Sequence, residues 1–240
     1  MKFYRTFSPV KAISFDLDDT LYDNHPFIME AERKLFRYLG SSYPKTARLS
    51  EQDWQTFKRE HLTQQPQLVS DMGALRKHTL QTGLHKVGYR ERHLSTAVED
   101  CFEYFYYHRS NFKVDKNICS LLSALAEKVP LIAITNGNVN LQQIGIDEYF
   151  THCFKANLSQ PMKPHDAMFS KASSVLQLSP KDCLHVGDNL KNDVMGAINA
   201  GMQSAWYAIN RKMDLRRERT SVLPHIQLDS LDELRLLVDD

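Results

Sequence analysis

The chain has 240 residues, a formal net charge of +1, 42% hydrophobic residues and 25% charged ones. This fits one large α/β core, alone or with a small accessory domain. A near-neutral balance without a dense Lys/Arg tract removes the electrostatic case for nucleic acid or an anionic membrane.

The first predicted element is a short apolar strand, Ala12 to Phe15, which ends in Asp16, Asp18, Asp19 and Thr20. Side chains alternate along a strand, so Asp16 and Asp18 share a side. Buried negative charge at the end of a core strand is unfavourable unless a cation or a reacting group uses it. That points to metal-assisted phosphoryl transfer, one acid attacking and the other handling the proton; the plainer reading is an acidic turn.

Residues 24–110 contain no good core strand. Helical periodicity falls near 26–39, 51–64, 69–82 and 91–109, with breaks expected at Gly40, Pro44, Pro66 and Gly83. The α/β pattern flanks this block on both sides, which predicts a helical domain (24–110) inserted into a core made of 1–23 and 111–240. The aromatic stretch Cys101 to His108 reads as helix packing, because Phe102, Phe105 and Tyr106 fall at i, i+3 and i+4. The alternative is an aromatic face, including Tyr104 and Tyr107, that stacks on a flat heterocycle.

After a helix near 116–128 comes a buried strand, Leu131 to Thr135, followed by Asn136 and Gly137. A hydroxyl and turn N–H groups at a strand end can hold phosphate oxygens, although Asn-Gly also simply makes turns. A helix is expected near 140–148. Lys163-Pro164 precedes another near 166–177 and can supply a fixed inward charge. The strand Cys183 to Val186 then runs into Gly187 and Asp188, with Asp193 at the start of a helix near 191–200. His185 reads as a hydrogen-bonded core residue. Strands at Ser204 to Tyr207 and Ile226 to Leu228 and a helix near 231–238 complete the pattern. Arg211, Lys212, Arg216, Arg217 and Arg219, broken by Asp214 and Glu218, read as a solvated helix face. Continuous apolar strands alternating with helices imply a parallel sheet covered on both faces, with a ligand beyond the strands' carboxyl ends.

Together the order is strand-DxDDT, strand-TNG, KP-helix, strand-GDxxxxD. This resembles the haloacid dehalogenase-like superfamily of phosphatases, over about residues 10–210, and the helical insertion is similar to that superfamily's C1-type cap. The resemblance implies a Rossmann-like α/β core. It casts Asp16 as the nucleophile that forms an aspartyl-phosphate. Asp18, crowded by neighbouring acids, would be the proton donor and then the base. Thr135 and the N–H groups of Asn136 and Gly137 would hold the phosphoryl oxygens, and Lys163 would offset their charge. Mg2+ would bind the Asp16 carboxylate, the Asp18 carbonyl and Asp188, with Asp193 acting through that ligand set.

Within the superfamily, dehalogenases attack carbon without a metal and typically lack the second acid; a phosphomutase would share every catalytic residue. From another class, a non-catalytic phospho-acceptor module would lack both the insertion and Asp18. Longer stretches, Phe3 to Arg5, Phe15 to Asn24, Ile134 to Asn138, His185 to Asp188 and Leu223 to His225, resemble a flavin-pathway branch of the family. That implies flavin mononucleotide (FMN) and 5-amino-6-(5-phospho-D-ribitylamino)uracil as substrates. Cys101, Cys119, Cys153 and Cys183 are scattered, no segment approaches the ~20 apolar residues of a membrane span, and the Ala12 run is too short for a signal-peptide core. A reduced, cytoplasmic setting is expected, with no partner protein implied.

Overall fold

In the computed structural model, which describes residues 1–218 and 221–238, seven strands form one sheet. They are β1 (Lys2–Phe3), β2 (Ala12–Phe15), β3 (Leu131–Thr135), β4 (His152–Lys155), β5 (Cys183–Gly187), β6 (Gln203–Trp206) and β7 (Ile226–Gln227). The spatial order is β1-β7-β6-β5-β2-β3-β4. Every neighbouring pair is parallel except β1 with β7.

Strand alternation explains why the sheet is covered twice. From β2, β3 and β5, the residues Ile13, Phe15, Leu131, Ala133, Leu184 and Val186 join one apolar cluster. Their neighbours Ala12, Ile132, Ile134 and Cys183 join another, on the opposite face. Helix α5 (Lys116–Ala126) contributes Leu121, Leu122 and Leu125 to the first cluster. Helix α7 (Ala167–Val175) contributes Met168, Phe169 and Ala172 to the second. With both faces buried, β3 and β5 have no exposed residue, as parallel strands require.

β1 and β4 lie outside the expected pattern, and the reason is positional. β1 is two exposed residues, and β4 is an edge strand whose His152 and Lys155 need no apolar partner.

The block between β2 and β3 is helical: α1 (His25–Ser42), α2 (Glu51–Gln64), α3 (Met72–Lys86) and α4 (Glu91–Arg109). Local chemistry sets their starts. Pro26 sits in the first turn of α1; Ser50 and Asp53 form a reciprocal capping box on α2; Asp71 accepts the Ala74 N–H on α3. Leu35, Leu39, Trp54, Phe57, Leu80, Leu84, Val98 and Phe105 make a core of their own.

Two of the expected breaks are absent, since Gly40 lies within α1 and Gly83 within α3. A Cβ on Gly83 would meet the Trp54 ring at 2.3 Å. This glycine therefore lets α2 and α3 approach rather than ending a helix. Pro44 and Pro66 do interrupt, each opening a short 3-10 turn.

On the carboxyl side the helices shorten. The segment near 140–148 is α6 (Leu141–Ile144) and a 3-10 turn at Asp147–Tyr149, and the last segment is a 3-10 helix, Leu231–Leu237. After β5 the chain makes a π-helical turn, Leu190–Met195, before α8 (Gly196–Asn199). No helix among the described residues is long and apolar enough to cross a membrane.

Asp16 follows β2, Thr135 ends β3 and Asp188 follows β5. The chain fills the sheet outward from β2 in both directions, so these ends surround the point where the strand order reverses.

Candidate active site

Asp16 is only 6% exposed, and its N–H is fixed by the Val186 carbonyl across the sheet at 2.8 Å. Its Oδ1 accepts from Lys163 Nζ at 2.7 Å and its Oδ2 from Thr20 Oγ1 at 3.2 Å. Burial pushes the Asp16 carboxyl well above the ordinary aspartate range; Lys163 opposes the shift and Asp193 reinforces it.

Lys163 is 1% exposed, and its ammonium has three oxygen partners: Asp16 Oδ1, Asp193 Oδ1 at 2.6 Å and the Ile134 carbonyl at 2.7 Å. Burial alone would neutralise it, but the two carboxylates hold its pKa above the ordinary lysine value. Its backbone is clamped by Asn136, whose Oδ1 accepts the Lys163 N–H at 2.7 Å and whose Nδ2 donates to the Lys163 carbonyl at 3.1 Å. The Asn136 side chain thus positions the lysine.

Asp193 enters from the π-helical turn, an arrangement frequent at functional sites. Asn189 caps that turn by accepting the Lys191 and Asn192 N–H groups, and its own N–H donates to Asp193 Oδ2 at 2.9 Å. Burial disfavours the Asp193 charge, yet Lys163 and His185 outweigh it and hold this carboxyl below the usual range. His185 is fully buried between Ser14 Oγ, 2.9 Å from Nδ1, and Asp193 Oδ1, 3.2 Å from Nε2. Burial pushes its pKa down, so the ring is neutral and carries one N–H. A carboxylate can only accept, which places that proton on Nε2 and makes Nδ1 the acceptor for Ser14. His185 is the hydrogen-bonded core residue expected.

Asp188 lies against Arg211, whose guanidinium donates to Asp188 Oδ2 and to the Asp188 carbonyl, both at 2.7 Å. Arg211 therefore departs from the expected solvated face and belongs to a loop beside the site. Arg216 and Arg217 do lie in solvent near Asp214, and Arg219 is outside the described residues.

Asp16, Asp188 and Asp193 form a converging group, with one carboxylate oxygen from each within 4.8 Å of the others. Burial and Asp193 push Asp188 up to about 6, against the pull of Arg211. An unfolded aspartate ionises near 3.9, so the folded, ion-free protein holds this proton more tightly. The resulting penalty is absent below about pH 4, builds between about 4 and 6, and is full at neutral pH. Ion-free stability should therefore fall through that window. Asp188→Asn should raise the stability of the ion-free protein at pH 7 by about 1 to 3 kcal/mol. Paired melts of wild type and variant in chelator check this, and a destabilised variant contradicts it.

Asp18 points elsewhere. Its Oδ1 accepts from Tyr22 OH and from Arg109 NH2, both at 2.6 Å. A buried arginine at the end of α4, rather than the expected crowd of acids, is its charged partner. Gly137 makes room for it, since a Cβ there would lie 2.7 Å from Asp18 Oδ2. The Gly137 N–H, expected to face phosphate, donates to Thr135 Oγ1 at 2.9 Å. That leaves the buried Thr135 hydroxyl its own proton to donate.

A cavity of about 380 Å³ opens between these loops and the helical block. Asp18, Asn136 and Gly137 line one end; Phe36, Trp54, Phe105, Leu35 and Leu80 supply apolar walls, with Glu32 and Arg76 among them. Arg76 pairs with Glu32 at 2.7 Å and lies over the Phe105 ring. Tyr104 and Tyr107 are not among its lining residues. Tyr104 stacks on Tyr38 with ring centroids 4.2 Å apart, and Tyr107 is 55% exposed. Packing therefore accounts for Tyr104, and the aromatic wall comes from three helices, Phe36 of α1, Trp54 of α2 and Phe105 of α4.

A family model of haloacid dehalogenase-like hydrolases matches residues 10–201. The chain is 31% identical over 238 residues to the 5-amino-6-(5-phospho-D-ribitylamino)uracil phosphatase YigB of Escherichia coli (strain K12), covering 99% of this chain and 100% of that one. It is 25% identical over 256 residues to the N-acylneuraminate-9-phosphatase of Homo sapiens, covering 96% and 94%. Among solved structures, a 2-haloacid dehalogenase from Pseudomonas syringae pv. Tomato DC3000 aligns with a TM-score of 0.89 and 28% identity, over 95% of this chain and 97% of that one. The chain belongs to the haloacid dehalogenase-like hydrolase family, and within it is a phosphatase of small phosphorylated metabolites.

Proposed function

We propose that this phosphatase is a Mg2+-dependent phosphomonoesterase that works through an aspartyl-phosphate on Asp16, with FMN and 5-amino-6-(5-phospho-D-ribitylamino)uracil as substrates. The observation that carries the chemistry is the pairing of Asp16 with a buried lysine beside two further acids. Residues 24–110 act as a cap over the core formed by 1–23 and 111–240, in a reduced, cytoplasmic setting.

The buried donor set is all oxygen, which suits a hard divalent cation. Asp16, Asp188 and the Asp18 carbonyl would hold the ion, with Asp193 orienting the set because Lys163, His185 and the Asn189 N–H already engage both its oxygens. When bound, Mg2+ offsets charge on the phosphoryl oxygens. An Asp16 oxygen attacks phosphorus as the ester P–O bond breaks, and Asp18 gives its proton to the departing alkoxide. Asp18 then takes a proton from water; the water oxygen bonds to phosphorus, the Asp16–phosphorus bond breaks, and phosphate leaves. The Thr135 hydroxyl holds a transferring oxygen, and Lys163, whose three N–H donors are already engaged, offsets the charge gathered on Asp16 and the phosphate.

The activity of the Escherichia coli relative supports the ribitylaminouracil phosphate, and the cavity supports a ring-bearing substrate of either kind. A three-carbon phosphate leaves the Phe36, Trp54 and Phe105 walls uncovered, whereas a flat ring covers them. Carbon-directed dehalogenation needs no second acid, and here Asp18 is held by two donors. In a panel with Mg2+, kcat/KM for FMN and the ribitylaminouracil phosphate should exceed that for glyceraldehyde 3-phosphate or phosphoglycolate by at least about tenfold. 2-Chloropropionate should yield no chloride. Preference for either small ester would overturn the substrate assignment, and chloride release would overturn the reaction.

A further inference from the structure

We infer that Asn24 and Arg109 form a hydroxyl-reading subsite beside Asp18, so that the substrate is a phosphate ester of a polyhydroxylated chain. This rests on the phosphomonoesterase reading and deepens it. Among the described residues, two buried side-chain polar atoms have no hydrogen-bond partner, Asn24 Oδ1 and Arg109 NH1. Both residues line the same cavity. Unpartnered buried polar groups are rare, and two at one cavity point to a ligand that answers them.

The rest of each residue is held in place by other bonds. Asn24 occupies the N-cap of α1, a position where asparagine normally bonds the first turn, yet its side chain makes no capping bond. Its backbone is fully used: the N–H donates to Asp19 Oδ1 at 2.9 Å, and the carbonyl accepts from the Phe27 and Ile28 N–H groups. Asp19 holds a left-handed φ of 64°, so the loop is shaped to bring Asn24 to this place. Arg109 is 2% exposed and spends NH2 on Asp18 at 2.6 Å, leaving NH1 unpaired.

One orphan donates and the other accepts. Phosphate oxygens would satisfy Arg109 but not an amide oxygen. A hydroxyl both donates and accepts, so vicinal hydroxyls satisfy the pair, and an amide turned the other way would still find a partner in them. Arg109 is bonded to Asp18 and Asn24 to Asp19, which sets the subsite at the phosphate end of the cavity.

The test compares two pairs with wild-type protein and Mg2+: FMN against its analogue bearing an unsubstituted pentyl chain, and ribitol 5-phosphate against pentyl phosphate. The hydroxylated member of each pair should be favoured in kcat/KM by about tenfold or more, and Asn24→Ala should shrink that ratio about tenfold. A melting curve matching wild type shows that the variant folds, and the wild-type ratios need no variant. Ratios within twofold of one in wild type, or ratios untouched by Asn24→Ala, overturn the inference. Preference within the ribitol pair without FMN turnover upholds it and discards the flavin substrate. FMN turnover equal to that of its pentyl analogue keeps the flavin substrate and discards the subsite.

Discussion

Replacing Asp16 with asparagine is expected to lower kcat by at least about 10⁴-fold, because the amide cannot act as the nucleophile and the two-step path disappears. The fold should survive. Asp16 is buried, and burial pushes its carboxyl well above the usual range, so a neutral isostere of nearly the same volume relieves a penalty. The asparagine can still accept from Lys163, which also keeps Asp193 and the Ile134 carbonyl as partners. Steady-state turnover of p-nitrophenyl phosphate, with a melting curve on the same preparation, reads both halves. Activity within about tenfold of wild type, in protein free of deamidated Asp16, contradicts the assignment.

Chelation should have the next largest effect. Three carboxylates converge within 4.8 Å, and the fixed cations beside them, Lys163 and Arg211, are each already engaged by an acid. Those cations therefore offset the charge of an arriving phosphate ester only in part. EDTA is expected to reduce turnover by more than about 10³-fold, equivalent to roughly 4 kcal/mol of barrier. Mg2+ should restore activity and raise the melting temperature by mass action. Full turnover in excess chelator would remove the metal from the proposal.

The sheet was readable from sequence because its central strands are buried on both faces and therefore appear as continuous apolar runs. β1 and β4 left no such trace, because they lie at the sheet's edges: β1 is two exposed residues, and in β4 only Phe154 is buried. The glycines misled for a related reason. Gly83 suggests a break on propensity, but its missing side chain is required by the Trp54 ring, a contact between separate helices.

Among the site residues, Asp16, Asp188, Lys163 and Asp193 were visible because each stands in a short motif at a strand or helix boundary. Thr20 and Tyr22 were within reach, four residues after Asp16 and Asp18 respectively, and the threonine belongs to the first motif. Arg109 was not. It pairs with an acid 91 residues earlier, and nothing near it in sequence distinguishes it from any arginine ending a helix. Arg211 was hidden by its company, since the charged residues after it do face solvent. Asn136 was legible as a residue, but the use of its side chain was not, because clamping the Lys163 backbone depends on two loops meeting.

The most direct measurement is an acid quench during turnover, followed by peptide mass spectrometry. A phosphoryl adduct on the peptide containing Asp16, located on that aspartate and absent from Asp16→Asn, is the predicted result. An adduct on another residue, or active protein that shows none while phosphate accumulates, would contradict the account.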